Sequence, residues 1–400
     1  MRRTRRAVHV LAVALTGTLG AAGMAAGDAP GVASPPPPAP FEIAVQDDAV
    51  FLSGGRGYSD ARAFRQAEAL GATRLRVGMT WEQAVRRRRG SAVAYRFGAY
   101  DRLVAAARQR GIRVQLVLLG TPRYDRGGDS WLSYRSPRPE RMARFAGDVA
   151  RHFRGQVDRY SVWNEPNSET FLAPQRACRG GACDLVGAHI YRALVDAAYP
   201  AIKAADPGAD VLIGETAPDA SARVVAPLAF LREVACAGPD YARARPCPPL
   251  VADGYAHHPY QFRDAPDQPT GTSADELGMS GLFRLDSALG GLRDAGLLAT
   301  PRGEALPAYL TEFGYYKTGS RRNAVSEKRR ADWLRRAFDA AAGFPFVRQM
   351  TYFHLIDGPR GVRFNTGIVG RNGRPSLAYE ALRRWQLAGR RGRPRTPPAR

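Results

Sequence analysis

The chain has 400 residues, of which 44% are hydrophobic and 24% charged, a composition typical of a folded globular protein rather than a disordered or fibrous one. The formal net charge is +22, but arginine supplies 56 of the 59 basic residues and occurs along the whole chain. Nucleic-acid binding calls for basic clusters with interleaved aromatic residues on one face, so we expect no nucleic-acid partner.

The longest basic run inside the chain is Arg86-Arg87-Arg88-Arg89. We interpret it as a solvated loop, because charge runs are usually exposed to water. The basic excess leaves open an affinity for an acidic glycan or for the cell surface.

The N-terminal residues have the features of a secretory signal peptide. Four arginines precede residues 7–26, which contain no charged residue apart from His9. We predict a signal peptide at residues 1–27, a proline-rich linker at residues 28–40 and secretion from the cell. The alternative is an uncleaved membrane anchor, since about 20 apolar residues can span a bilayer. After removal of the signal we expect no membrane insertion.

The four cysteines form two close pairs, Cys178 with Cys183 and Cys236 with Cys247. In an exported protein, such pairs indicate two local disulfides. A zinc site is the alternative, but neither pair has the C-x2-C spacing and no histidine cluster accompanies them.

Short aliphatic and β-branched runs alternate with longer amphipathic segments from residue 41 onward. We predict strands near residues 43–45, 73–79, 114–119, 157–163, 210–214, 254–258, 307–311 and 347–354. Helices are predicted at residues 61–70, 100–110, 138–152, 186–205, 227–235, 282–295 and 326–342. Eight strands with intervening helices favour a single (β/α)8 barrel domain at residues 41–387, followed by a disordered basic tail at 388–400. A doubly wound sheet is the alternative, but no G-x-G-x-x-G turn follows the first strand.

Carboxylates that follow barrel strands are candidates for chemistry, because barrel enzymes place reactive groups at the C-terminal ends of their strands. Glu165 follows the predicted fourth strand and Glu312 the seventh. Glu215 also ends a strand and is a candidate substrate contact. A solvated or helix-capping role is the ordinary alternative for each carboxylate taken alone.

The sequences around Glu165 and Glu312 resemble known catalytic motifs. Trp163-Asn164-Glu165-Pro166-Asn167 resembles the acid/base motif of clan A glycoside hydrolases, and Leu310-Thr311-Glu312-Phe313-Gly314 resembles their nucleophile motif. Families 39, which includes xylosidases, and 5, which includes cellulases, are the nearest resemblances. They imply a retaining O-glycoside hydrolase that cleaves a poly- or oligosaccharide by double displacement, without metal or organic cofactor.

The resemblance implies roles for further residues. Arg76 is similar to an arginine that steers the nucleophile, and Asn164 to the residue that binds the sugar 2-hydroxyl. His258 and Tyr260 resemble an H-x-Y pair beside the nucleophile, although a shift of one residue would select His257 instead. We expect Arg76 to keep Glu312 ionised and Glu165 to be protonated before attack.

Two segments depart from the family pattern. Gly120-Thr121-Pro122 replaces a histidine after the third strand, and Tyr352-Phe353-His354 replaces the sugar-platform tryptophan after the eighth. We therefore assign Tyr352 as a substrate-binding residue. Tyr352, Trp81 and Trp131 are predicted either to stack on sugar rings or to pack in the core.

The main alternative function is a catalytically silent barrel that binds carbohydrate. The presence of both Glu165 and Glu312 argues against it. The sugar, the linkage, the choice between internal and terminal cleavage and the oligomeric state do not follow from the sequence.

Overall fold

The structure is a computed structural model that describes residues 41–52, 58–89, 92–122, 124–125, 137–317, 324–359, 361–362 and 364–389. The predicted signal peptide and linker, at residues 1–40, lie outside the described residues. The strands are β1 Glu42–Gln46, β2 Arg74–Thr80, β3 Val85–Arg89, β4 Ala92–Tyr95, β5 Arg113–Leu119, β6 Arg159–Val162, β7 Ala177–Arg179, β8 Ala182–Asp184, β9 Asp210–Thr216, β10 Leu250–Val251, β11 Gly254–His257, β12 Leu298–Ala299, β13 Ala308–Phe313 and β14 Val347–Phe353.

Eight of these strands close into a parallel barrel in the order β1-β14-β13-β11-β9-β6-β5-β2. They correspond one for one to the eight predicted strands. The predicted (β/α)8 barrel is therefore confirmed.

Helices occupy the connections between the barrel strands. They are α1 Asp48–Phe51, α2 Asp60–Ala69, α3 Trp81–Ala84, α4 Gly98–Arg108, α5 Pro139–His152, α6 Val186–Ala205, α7 Pro227–Val234, α8 Leu282–Asp294, α9 Glu327–Gly343 and α10 Leu377–Gly389. In α5, buried Met142, Phe145 and Val149 recur at the spacing of one helix face, and Pro139 suits the first turn because its missing N–H needs no partner there. Within the described part of the chain, no helix is both long and apolar enough to cross a bilayer.

The sequence of β2 shows how the barrel is filled. Leu75 and Val77 are buried against the helices, whereas Arg74 and Arg76 point into the barrel, because successive side chains of a strand face opposite sides. Two buried arginines in the barrel interior require acidic partners.

The partners of Arg74 belong to a lower charge network at the N-terminal ends of the strands, made of Glu42, Arg74, Asp158 and Arg159. Arg74 donates to Glu42 at 2.9 Å and to Asp158 at 2.6 Å, and Arg159 donates to Glu42 at 2.6 Å. Burial raises the pKa of Glu42, but the hydrogen bond from Arg74 and the charge of Arg159 hold it below its ordinary value. Glu42 is thus an ionised carboxylate inside the barrel.

Both predicted disulfides are present, Cys178–Cys183 and Cys236–Cys247. The first joins β7 to β8 in a small antiparallel hairpin. The predicted disordered tail begins too early, because α10 continues to Gly389, two residues beyond the predicted boundary. Buried Leu382 and Trp385 hold this last helix against the barrel domain.

Candidate active site

The two predicted catalytic carboxylates lie together at the C-terminal end of the barrel. Glu165 is the third residue after β6, and Glu312 lies within β13. Both line a cleft of about 860 Å³, and one carboxylate oxygen of each lies within 4.8 Å of the other. This close approach of two oxygens is compatible with the ~5–5.5 Å between the carboxyl groups of retaining glycosidases.

The loop that carries Glu165 has an unusual backbone. Trp163 has φ 72° and Glu165 has φ 41°, in the left-handed region that side chains with a Cβ rarely adopt. Trp163 is fully buried and its indole donates to the carbonyl of Phe171 at 3.0 Å, while the Glu165 amide donates to the carbonyl of Glu215 at 2.8 Å. These contacts fix the strained turn, and such strain is common at functional sites.

Two β-bulges bring further side chains into the site. The pairing of β11 with β9 skips Glu215, and the pairing of β13 with β14 skips Thr311 and Glu312. Gly214 permits the first bulge, since its φ is +98° and a Cβ there would lie 2.5 Å from the Ala256 carbonyl. A bulge redirects the side chain that it carries, so Thr311 and Glu312 both reach the barrel interior although they are neighbours in a strand.

Arg76 is the centre of an upper charge network formed by Arg76, Glu215, His258 and Glu312. Its guanidinium donates to Glu312 at 2.6 Å, to Glu215 at 2.9 Å and to the side-chain oxygen of Asn164 at 2.8 Å. Burial lowers the pKa of Arg76, but the charges of Glu215 and Glu312 raise it above its ordinary value. A permanent cation therefore lies against the predicted nucleophile.

Glu215 lies beneath the cleft. Its side chain is fully buried and accepts hydrogen bonds from Thr311 at 2.6 Å and from Gln115 at 3.3 Å. Burial raises its pKa, but the charge of Arg76 and the hydrogen bond with His258 lower it to about 2. A buried anion in this place does not fit the predicted substrate contact; it balances the cations of the upper charge network instead.

His258 joins all three carboxylates of the site. One ring nitrogen lies 3.1 Å from Glu165 and 3.8 Å from Glu312, and the other lies 2.8 Å from Glu215. Burial lowers the pKa of His258, but the charge of Glu312 and the hydrogen bonds with Glu165 and Glu215 raise it to about 9. At neutral pH both ring nitrogens carry protons and donate.

His257 faces away from the cleft. Its ring contacts the side chain of Thr216 and the carbonyl of Leu277, and burial lowers its pKa to about 3, so the ring is neutral. Of the two adjacent histidines, His258 is the one that the structure brings to the carboxylates.

The side chains of Asn164 and Tyr260 flank the carboxylate pair. The Tyr260 hydroxyl donates to Glu312 at 3.0 Å, and burial together with the charge of Glu312 raises its pKa, so it stays a donor. The amide nitrogen of Asn164 has no hydrogen bond among the described residues, although its oxygen binds Arg76. Asn164 therefore presents a donor to the cleft.

The structure does not bring Tyr352 to the cleft. Its side chain is 1% exposed, points toward the outer helices and donates to the carbonyl of Thr366 at 2.5 Å. The predicted substrate-binding role of Tyr352 does not fit this position. Trp81 is also a core residue, stacked on Phe145 at 5.1 Å, and Trp131 lies outside the described residues.

Aromatic residues besides Tyr260 line the cleft, and of these the sequence singled out only the segment that contains Phe353 and His354. The lining rings are Phe262, Phe353, His354 and Phe364. Phe262 stacks on Tyr260 at 4.8 Å, and Phe364 meets Phe353 at 5.6 Å. Phe353 directly follows Tyr352, so the apolar platform is displaced by one position from the predicted one.

Two polar residues of the cleft were also missed. Gln46 ends β1 and accepts a hydrogen bond from Arg76, and Asp48 lines the cleft nearby. Burial raises the pKa of Asp48 to about 7. The rule that strand ends carry function covers both residues, since they stand at and just beyond the end of the first barrel strand.

The oxygens and nitrogen of Glu165, His258 and Glu312 are close enough to surround a metal ion. His258, however, carries protons on both ring nitrogens at neutral pH and binds Glu215 through the second one. A metal ion at this place would have to displace the proton that the surrounding carboxylates favour on His258, and the three groups are also suited to moving protons.

Known structures share this architecture. A family 39 glycoside hydrolase from the gut symbiont Bacteroides cellulosilyticus WH2 superposes with a TM-score of 0.61 at 17% identity, over 87% of this chain and 63% of that one. The GH39 enzyme from Xanthomonas axonopodis pv. citri gives 0.61 at 20% identity, over 87% and 67% of the two chains. The chain has the fold of these enzymes.

A monomeric β-xylosidase from Caulobacter crescentus CB15 gives a TM-score of 0.59 at 19% identity, covering 86% of this chain and 68% of that one. The predicted resemblance to clan A glycoside hydrolases is therefore confirmed for the fold. No protein-family model matches the sequence, and no curated protein matches it significantly.

Proposed function

We propose that the chain is a retaining O-glycoside hydrolase, with Glu312 as nucleophile and Glu165 as general acid/base. The observation that carries the proposal is the approach of their carboxylate oxygens to within 4.8 Å in an open cleft. Such a close approach supports retaining chemistry, because inverting enzymes keep a wider gap between the two carboxyl groups for a water molecule.

The surroundings of each carboxylate support its separate role. Glu312 accepts hydrogen bonds from Arg76 and Tyr260, which stabilise it as an anion that can attack the anomeric carbon. Glu165 binds only His258 among the described residues, which leaves its second oxygen for the glycosidic oxygen. His258 positions this carboxyl group, and Asn164 is placed to hold a sugar hydroxyl.

The reaction proceeds in two displacements. Glu312 attacks the anomeric carbon while Glu165 gives its proton to the departing oxygen, which forms a glycosyl ester and a free alcohol. Glu165, left as a carboxylate by the first step, then takes a proton from the water molecule that attacks the anomeric carbon. The resulting hydroxide equivalent cleaves the ester and restores both carboxyl groups. Neither step calls for a metal or an organic cofactor.

The test is hydrolysis of a panel of aryl β- and α-glycosides by the wild type and the Glu312→Ala variant. We expect a loss of at least about 10⁴-fold in the variant, because the covalent step is removed. Added azide should restore cleavage and give a glycosyl azide of inverted configuration. Glu304→Ala, which changes an exposed glutamate remote from the cleft, is the matched control and should keep wild-type activity.

Wild-type cleavage that survives Glu312→Ala would contradict the assignment. Binding of oligosaccharides without any cleavage would favour the carbohydrate-binding barrel.

We also propose that the protein is exported. Two disulfides in one chain favour an oxidising compartment. Expression in a bacterial host with N-terminal sequencing of the periplasmic or extracellular product should give a start between residues 22 and 41. Retention of the full-length chain in the cytoplasm would contradict export.

A further inference from the structure

The arginine run forms a β-hairpin, not the solvated loop expected. β3 and β4 pair antiparallel and lie between β2 and α4. Connections from strand to helix emerge at the C-terminal end of a barrel, which is the end that carries Glu165 and Glu312. The base of the hairpin is anchored, because the rings of Trp81 and Tyr95 lie 5.1 Å and 5.4 Å from the ring of Phe145.

The hairpin presents positive charge that no acidic side chain among the described residues neutralises. Arg86, Arg87 and Arg89 are exposed, and none of the ion pairs among the described residues includes them. Other exposed arginines do have acidic partners: Arg302 pairs with Glu304, Arg335 with Asp339 and Arg383 with Glu380. The cations of the hairpin are therefore available to a partner from outside the chain.

The hairpin is close to the cleft. Thr80, the last residue of β2, lines the cleft, and Arg86 follows six residues later. Six residues span at most about 20 Å when fully extended, and Trp81–Ala84 are coiled into a helix, which shortens the span. A polymer of a few units that occupies the cleft is long enough to reach the hairpin.

We propose that this hairpin binds an anionic polysaccharide, whose carboxylate or sulfate groups pair with Arg86, Arg87 and Arg89. Guanidinium groups bind such anions through two parallel hydrogen bonds. Arg87 and Arg89 project from the same face of β3, and Arg86 lies at a bulge where the pairing with β4 shifts. That the bound polymer is also the substrate of the cleft rests on the proposed function.

The same surface is poorly suited to nucleic acid. Single-stranded nucleic acids are held by aromatic rings on which bases stack, in addition to basic residues. The described aromatic residue of the hairpin, Tyr95, packs on Phe145 and Phe97 instead. A polysaccharide with regularly spaced acidic groups can be bound by the arginine side chains alone, without aromatic stacking.

The test compares two triple variants of equal charge. Arg86→Gln/Arg87→Gln/Arg89→Gln changes the hairpin, and Arg302→Gln/Arg335→Gln/Arg383→Gln removes three exposed arginines that already have partners. Binding to polygalacturonate, alginate and heparin is measured by affinity electrophoresis, with neutral xylan as the reference polymer. We expect the hairpin variant to bind at least one acidic polymer about tenfold more weakly, and the control to change by about twofold at most. Added salt should weaken wild-type binding.

Equal losses in the two triple variants, or no wild-type binding to any acidic polymer, would overturn the proposal. So would tighter wild-type binding to single-stranded DNA or to anionic phospholipid vesicles that the hairpin variant loses. Aryl glycoside hydrolysis by the hairpin variant should equal that of the wild type, because the hairpin does not line the cleft. If neither protein hydrolyses any glycoside but the hairpin variant still loses polymer binding, the proposed function fails and the binding surface remains.

Discussion

The two ends of the barrel interior hold buried charges in different ways. In the lower charge network, Arg74 and Arg159 share Glu42, and every carboxylate is held by arginine. In the upper charge network, Arg76 also binds two carboxylates, but one of them, Glu312, is 8% exposed and reaches the cleft. The lower network does not line the cleft and fixes the geometry of the strands, whereas the upper network reaches the cleft and presents a charged group there that can react.

Matched substitutions of the two buried arginines should separate these roles. Arg76→Met leaves buried Glu215 and Glu312 without their guanidinium partner, so we expect it to lower the free energy of unfolding by about 3–5 kcal/mol. We expect a smaller loss for Arg74→Met, because Glu42 keeps its ion pair with Arg159. Only Arg76→Met should also lower kcat/KM of the folded enzyme, by about 1,000-fold, because the charge beside the nucleophile is lost.

Denaturant unfolding measures the first effect, and kinetics at low temperature, corrected for the folded fraction, measure the second. Comparable losses of kcat/KM in the two variants would show that the lower charge network takes part in catalysis. That result would contradict the difference in role between the two networks.

The pH dependence of stability should distinguish the adjacent histidines. The pKa of His258 is raised from 6.5 to about 9, so the folded state binds this proton more tightly than the unfolded state. The stabilisation is complete below pH 6.5 and is lost as the pH rises through 9, by about 3 kcal/mol.

His258→Asn should abolish this loss between pH 6.5 and 9. His257→Asn should retain it, because the pKa of His257 is lowered to about 3 and the ring does not titrate in that range. Thermal unfolding at a series of pH values checks both. A wild-type profile that is flat across the interval would refute the charged state of His258.

Two buried tyrosines allow a smaller test. Tyr260→Phe removes one hydrogen bond to Glu312 and should lower kcat/KM by about 10- to 100-fold, the range for a hydrogen bond to a charged group. Tyr352→Phe removes an equally buried hydroxyl outside the barrel and should lower the melting temperature while leaving kcat/KM unchanged. Steady-state kinetics of both variants test this difference. An equal effect of the two substitutions on kcat/KM would count against the role of Tyr260.

The sequence predicted the barrel well because its strands alternate with amphipathic helices in every unit. It also led to Glu165 and Glu312, since carboxylates at strand ends stand out against apolar runs, whereas His258 was suggested only by the resemblance, with His257 as the alternative. The lower charge network was missed because Arg74 and Arg159 carry no distinguishing signal in a chain with 56 arginines. Only the strand register shows that these two point inward.

Two further differences between the prediction and the structure also depend on the local register of a strand. The bulge at Glu215 makes this residue a buried counter-charge, and bulges have no reliable signature in one sequence. The outward position of Tyr352, in contrast, could have been predicted from the alternation of side chains along its strand. Gln349 and Thr351 face the barrel interior, so the alternation of β14 directs Tyr352 outward and Phe353 toward the cleft.

The placement of Arg74 and Arg76 two residues apart on β2 has a consequence for folding. A slip of β2 by one residue would turn both guanidinium groups toward the apolar helices and deprive Glu42, Glu215 and Glu312 of the cations that β2 supplies. Parallel strands rich in aliphatic residues tolerate such slips more easily, because either face can be buried. Here the wrong register is rejected by charge, so the strand that supports catalysis also ensures that the barrel assembles in only one alignment.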